Sequence, residues 1–234
     1  MQRAIGKPYA PIYPMQNKEN NPMKYQGIIF DLDGVICSTD EYHYQAWKSL
    51  ADRLNIPFDR ERNNLLRGVS RMASLEIVLE KSDKTYTDAE KAAFAEEKND
   101  LYRQLLGNMS PADLSDEVRD TLNALRGKGL TLAIGSSSKN TPFILERIGL
   151  GSFFDAVADG NCITHSKPDP EVFLKAAEFI HLDPSVCLVV EDAHAGVQAA
   201  VSGGFDCASM GDARDDKKAA YHLGSFGDLM KVIG

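Results

Sequence analysis

Asp31 and Asp33 stand one residue apart at the end of the apolar run "GIIF" (27–30), and Gly34 follows them. In extended chain, residues two apart point to the same side, so both carboxylates face one spot about 7 Å apart. Gly34 then lets the backbone turn sharply away. Two bare carboxylates this close repel each other, and burying either is costly without a cation, hydrogen-bond donors or a proton. Three other segments offer that compensation. "SSSKN" (136–140) follows the run "LTLAIG" and precedes a helical pattern, so its hydroxyls and backbone N–H groups form a favourable place for phosphate. "SKPDP" offers Lys167 as a positive charge before a stiff proline turn. After "VCLVV" come Glu191 and Asp192, which with Asp31 make a hard, oxygen-rich set. Such a set suits Mg2+, which binds few carboxylates and keeps several waters for phosphate. Singly, each piece reads as a loop, a helix cap or a surface charge. Four compatible groups after four successive apolar runs point instead to phosphoryl chemistry.

The elements that must position these groups alternate along the chain. "GIIF", "LTLAIG" and "VCLVV" are nearly unbroken apolar runs, as expected of parallel strands covered on both faces, and "FFDAVAD" and "FDCASM" are weaker strand candidates. Between them, "PFILERIGL" and "PEVFLKAAEFI" open on a proline suited to a first helical turn, and "AHAGVQAAVSGG" ends in glycines suited to a helix C-terminus. This alternation predicts an α/β fold: an open, Rossmann-like parallel sheet with right-handed crossovers. One interval breaks the rhythm. Residues 38 to 110 show only helical patterning, with Trp47, Leu50 and Leu54 on one face and Phe94, Leu101 and Leu105 on another. The expected organisation is an extended, proline-rich tail (1–24), an α/β core (25–38 and 111–234) and an inserted all-helical cap (39–110).

At 234 residues the chain can build a full hydrophobic core without staples. The four cysteines lack CxxC spacing, which argues against structural zinc and a disulfide framework and fits a reducing, cytoplasmic setting. A net charge of −8 with no basic, aromatic-laced cluster makes nucleic acid an unsuitable partner. No apolar run approaches the roughly 18 residues of a membrane span, and the N-terminus has no apolar stretch of a signal peptide.

With these residues on view, the chain resembles the haloacid dehalogenase superfamily of phosphoryl-transfer enzymes, which shares the elements seen here as "DLDG", Ser136, Lys167 and "ED". The resemblance implies that Asp31 is the nucleophile that becomes phosphorylated and that Asp33 is the general acid and base. It also implies that Ser136 and Lys167 hold the transferring phosphoryl group. Mg2+ would bind Asp31, the backbone carbonyl of Asp33 and Asp192, with Glu191 nearby. The finer resemblance is to the β-phosphoglucomutases, through "FDLDGVI", "TDEYHYQAWKSLA", "LRGVSRMASL", "NMSPADL", "SKNTPFILER" and "SKPDPEVF". These enzymes interconvert β-glucose 1-phosphate and glucose 6-phosphate through glucose 1,6-bisphosphate, which also phosphorylates the enzyme. By that similarity Thr39 and His43 lie at the cap entrance, and Arg67, Gly68, Val69, Ser70 and Arg71 form the cap loop over the substrate. Arg71 is the main clamp for the second phosphate, helped by the segment that holds Ser137, Ser138, Lys139 and Asn140. Trp47, Ser74 and Lys98 face the chamber or its closure contacts. Arg67 stands where the family more often has lysine, Ser137 replaces an alanine, and "EDA" replaces "EDS".

Other readings are weaker. A phosphatase acting on a small sugar phosphate would use the same core residues but has less need of Arg71. A phospho-receiver module has no use for a second carboxylate two residues past its nucleophile or for a helical insertion. Cys37 and His43 form no thiol–base pair with an orienting partner, and His165 and His194 are loop histidines rather than ligands of an oxygen-rich site. A self-contained core and cap predict a monomer.

Overall fold

The computed structural model describes residues 23–234. The expected tail therefore lies outside the described residues, apart from Met23 and Lys24. Lys24 is tied to the sheet: its ammonium lies 2.8 Å from Asp206 and donates to the Tyr221 hydroxyl at 3.1 Å.

Six parallel strands are seen among the described residues: β1 (Gly27–Phe30), β2 (Thr131–Gly135), β3 (Ala156–Ala158), β4 (Cys187–Glu191), β5 (Asp206–Ser209) and β6 (Tyr221–His222). They lie in the order β3-β2-β1-β4-β5-β6. The continuous apolar runs take the centre, where both faces are covered. Register pairs Phe30 with Ile134 on one side and with Val190 on the other, so Asp31, Gly135 and Glu191 end level with one another. Strand order reverses between β1 and β4, and the crevice outside the carboxyl ends of strands at such a switch point is where ligands bind in open α/β sheets.

Between β1 and β2 the chain is helical: α1 (Asp40–Arg53), α2 (Arg60–Asn64), α3 (Arg71–Leu79) and α4 (Asp88–Leu106), followed by α5 (Asp116–Gly127). Trp47, Leu50, Phe58, Leu75 and Val78 give this insertion an apolar cluster of its own. Thr87 and Glu90 start α4 with a reciprocal capping box, and Ser70 caps α3. The 19 residues of α4 span about 28 Å, so its two ends meet different cores. Phe94 packs in the insertion, whereas Leu101 and Leu105 pack against the sheet-side cluster and Tyr102 and Leu106 are buried within it.

The remaining helices are α6 (Thr141–Arg147), α7 (Glu171–Phe179), α8 (His194–Ser202) and α9 (Leu229–Ile233). Strand alternation sends Ile28, Phe30, Leu132, Ile134, Leu188 and Val190 to the side of α5, α6 and α9. Ile29, Ala133 and Val189 face α7 and α8. None of the described helices is long and apolar enough to cross a membrane.

Candidate active site

Asp31 follows β1 directly, its N–H bonded to the Val190 carbonyl at 3.0 Å, so the strand fixes where its carboxylate points. The Lys167 ammonium, whose side chain is 1% exposed, contacts Asp31 Oδ1 and lies 2.5 Å from Glu191 Oε1. Burial alone would lower this ammonium's pKa, but Asp31 and Glu191 together outweigh it and hold it above its ordinary value. The Asp31 carboxyl is pushed up to about 7, chiefly by burial, against the pull of Lys167. Glu191 uses its other oxygen to accept the N–H groups of Asp192 and Ala193, each at 2.8 Å. A Cβ on Gly196 would fall 1.8 Å from Glu191 Oε1, so only glycine leaves room for this arrangement. Glu191, expected in or beside the metal set, stands between Lys167 and the acidic loop. Both of its oxygens are engaged in fixing Lys167 and the acidic loop.

Asp33 faces away from Lys167 and accepts from the Thr39 N–H at 2.6 Å and the Thr39 hydroxyl at 2.7 Å. Tyr102, from α4, donates to that hydroxyl at 2.9 Å, so the helical insertion is hydrogen-bonded through Thr39 to the second aspartate. Burial raises the Asp33 pKa, and the two Thr39 bonds only partly offset it. His43 stacks on Tyr102, with its Nδ1 2.9 Å from Lys98 Nζ and its Nε2 3.9 Å from Asp33 Oδ2. Lys98 lies over the Trp47 ring at 4.8 Å. Burial, then Lys98 and Arg71, hold the His43 pKa well below its ordinary value, and burial with Arg71 does the same to Lys98.

Asp192 lies against the backbone of Gly34, which has φ +87°. A Cβ there would fall 2.0 Å from Asp192 Oδ2. Burial and then Glu191, Asp31 and Asp33 push the Asp192 carboxyl up to about 8. Among the described residues no three His, Cys, Asp or Glu side chains converge on a closed metal cage. Two carboxylates whose burial is only partly compensated, Asp31 and Asp192, fit Mg2+ all the same, because this ion completes its shell with water and phosphate oxygens.

The segment after β2 is wound tightly. Ser136 Oγ accepts from the Ser138 N–H, and Ser138 Oγ accepts from the Asn140 N–H, both at 3.2 Å. Ser137 Oγ is buried and finds no partner among the described residues. Across the gap, Arg71 opens α3 and donates to Asn99 Oδ1 at 2.8 Å. The same oxygen accepts from Asn140 Nδ2 at 3.0 Å, and Arg103 donates to Asn140 Oδ1 at 3.1 Å. Arg71 is therefore joined, through Asn99, to the segment that carries Ser136.

Insertion and sheet enclose one chamber of about 630 Å3. Every expected site residue lines it except Thr39, which is buried behind Asp33. Arg67 lines the chamber, but its guanidinium is shared between Asp40 and Asp212. Asn99, Tyr102 and Asp40 also line it and were not anticipated. Asn99 and Tyr102 had a signal: with Ala95, Lys98 and Leu106 they form the buried stripe of α4, where polar residues are out of place unless they do something. His165 pairs with Glu171 and His194 with Asp216, both away from the chamber. Burial, then Asp33 and Asp31, raise the Cys37 thiol above its ordinary range, in keeping with an inert core residue.

A family model described as haloacid dehalogenase-like hydrolase matches residues 25–204, and the chain belongs to that family. Among particular relatives, a β-phosphoglucomutase of Bacillus subtilis (strain 168) is 39% identical over 188 residues, which span 80% of this chain and 83% of that protein. A fructose-1-phosphate phosphatase of Escherichia coli (strain K12) is 30% identical over 188 residues, covering 80% of this chain and 97% of the relative. A crystal structure of a β-phosphoglucomutase from Clostridium difficile matches with a TM-score of 0.83 at 34% identity, covering 88% of this chain and 93% of that one.

Proposed function

We propose that this enzyme is a β-phosphoglucomutase, converting β-glucose 1-phosphate to glucose 6-phosphate through a phosphorylated Asp31 and glucose 1,6-bisphosphate. The observation that carries the reading is a chamber with two anion-ready walls. One is the Asp31–Lys167–Ser136 end of the sheet, and the other is Arg71 on the insertion, tied through Asn99 to Asn140. A bisphosphate can be held at both, whereas a phosphatase acting on a monophosphate has less use for the second. Residues 39–110 act as the cap and residues 25–38 and 111–234 as the core, with a monomer as the working unit.

The phosphorylated Asp31 gives its phosphoryl group to O6 of β-glucose 1-phosphate. The O6–P bond forms, the Asp31 O–P bond breaks, its electron pair returns to the carboxylate, and the O6 proton passes to Asp33. The bisphosphate then turns end for end. Asp31 takes the phosphoryl group from O1, the O1–P bond breaks, and O1 recovers the proton from Asp33. The raised pKa of Asp33 suits it to carry that proton between the two halves. Lys167 and Ser136 orient the phosphoryl group in transfer, and Arg71 receives the other phosphate in either orientation. Asp31, Asp192 and the Asp33 carbonyl would hold Mg2+, which neutralises charge on the phosphoryl oxygens. The cap keeps water from the aspartyl phosphate.

A phosphatase is the second reading, supported by the name of the Escherichia coli relative. The experiment supplies β-glucose 1-phosphate, a catalytic amount of glucose 1,6-bisphosphate and Mg2+, and follows glucose 6-phosphate and inorganic phosphate together. Glucose 6-phosphate in large excess over phosphate is expected; phosphate release alone overturns the mutase.

A further inference from the structure

Arg67 opens the cap loop, but its guanidinium is held by two carboxylates of this chain. One is Asp40, at the start of α1, with Oδ2 3.0 Å away. The other is Asp212, 145 residues distant in a short turn after β5. That turn is fixed to the acidic loop of the site: the Met210 N–H bonds to the Glu191 carbonyl at 2.9 Å and the Ala213 N–H to the Asp192 carbonyl at 2.8 Å. The neighbouring residue makes a second cap–core contact. Gly68, at φ +72°, lies so close to the start of α8 that a Cβ there would sit 3.6 Å from Ala193 and 3.7 Å from Ala195.

We infer that Asp212 is a positioning residue for the reaction: acting through Arg67, it latches the cap loop over the Glu191–Asp192 edge of the chamber. The charges fit that task. Asp40 orients the guanidinium from within the cap and leaves one face of its fork for the core carboxylate, so two acidic side chains aim one arginine. Asp212 itself is 63% exposed, which keeps the latch weak enough to open for each substrate. Arg67 is then a closure residue rather than a sugar contact, and its presence says nothing about which sugar is bound. The inference rests on the chamber being a sugar-phosphate site and is indifferent to whether the product is glucose 6-phosphate or phosphate.

The test is a double-mutant cycle on Arg67→Ala and Asp212→Ala, with Asp212→Glu as the conservative variant. Initial rates with β-glucose 1-phosphate are followed for both products. Asp212→Ala is expected to raise KM about three- to fivefold, the range of a partly exposed ion pair, with kcat within about twofold. Asp212→Glu recovers most of the loss, and Asp212→Ala adds almost nothing in the Arg67→Ala background. An unchanged KM, or an equal effect in both backgrounds, overturns the latch. Limited trypsin digestion of the protein without substrate reads the same device independently of activity. Asp212→Ala should speed cleavage after Arg67, whereas faster cleavage only after Arg214 would mean that Asp212 merely shapes its own turn. If the wild type turns over no β-glucose 1-phosphate, the functional reading fails, and the digestion alone decides the latch.

Discussion

Replacing Lys167 with methionine keeps an unbranched stem against Phe173, whose ring lies 4.5 Å from the ammonium, and removes the charge between Asp31 and Glu191. Both carboxylates are then buried with their mutual repulsion unrelieved. Removing one partner of a buried ion pair costs about 3 to 5 kcal/mol, a large share of the roughly 5 to 15 kcal/mol that holds a domain together. The loss must depend on pH with a definite sign. In the wild type the Asp31 carboxyl is already pushed up to about 7 by burial, and Lys167 is what pulls it down. Without the ammonium it rises further, so near neutral pH the folded variant holds a proton that the unfolded chain has released. Stability of the variant therefore falls as pH rises, by about 1.4 kcal/mol per pH unit while that proton is retained. At lower pH a proton replaces the ammonium and the variant recovers part of its loss.

The assay is urea unfolding of both proteins in EDTA at about pH 6.5 and pH 8. Because the wild-type Asp31 also titrates in this range, the difference in unfolding free energy is expected to be about 1 kcal/mol larger at the higher pH. In parallel, kcat/KM should fall by at least about a thousandfold, since Lys167 also orients the phosphoryl group. A destabilisation below about 1 kcal/mol, or one that does not change with pH, refutes the reasoning: it would mean that the pair is open to water and that Lys167 does not compensate the two carboxylates.

Two further outcomes follow from the acidic end of the chamber. In the metal-free protein Asp31 and Asp192 are pushed up to about 7 and about 8, so each retains a proton that competes with Mg2+. The rise in melting temperature on adding Mg2+ should be larger at about pH 8 than at pH 6, and equal shifts would refute that competition. Gly34→Ala forces a Cβ to within 2.0 Å of Asp192 Oδ2 at a φ that disfavours alanine. The protein should stay folded by circular dichroism, yet lose at least about tenfold in Mg2+ affinity by thermal shift; unchanged affinity would show that Asp192 can move aside without consequence.

The central strands were legible because both of their faces are covered, which makes "GIIF", "LTLAIG" and "VCLVV" continuous apolar runs. The two-residue β6 had no such signal, since its Tyr221 and His222 pair only at the sheet edge. The site divides the same way. Asp31, Asp33 and Ser136 follow strand ends directly and Lys167 stands in the loop after β3, so topology brings all four to one edge of the sheet. Glu191 and Asp192 are consecutive, and adjacent residues at a strand end point in different directions, so spacing could not say which one turns toward a metal. In the structure both Glu191 oxygens are engaged, one by Lys167 and the other by the Asp192 and Ala193 N–H groups. The ion pairs of Arg67 were not legible for a similar reason. Its two carboxylate partners lie 27 and 145 residues away, and no local periodicity reveals either.

The pair of aspartates at the start of the chain's core also explains why a cap is needed. Asp31, Glu191 and Asp192 share one strand end with the single ammonium of Lys167, so that wall has little positive charge to spare for a second phosphate. The positive charge that can offset the rest of a doubly phosphorylated sugar is not on the sheet. It sits on Arg71, and Arg71 reaches the sheet only through Asn99 and Asn140. On the proposed mutase reading, a closed cap does two things at once: it shuts out water and brings the second phosphate its counter-charge. A substrate with one phosphate gains only the first from closure, whereas a bisphosphate gains both, and this difference favours retention of the intermediate long enough to turn around. Thr39 places Asp33 on the same hinge, hydrogen-bonded to Tyr102 of the cap's longest helix. Asp33 and the insertion are thus joined through one threonine, so a change at Thr39 is felt at both the carboxylate and the Tyr102 hydroxyl.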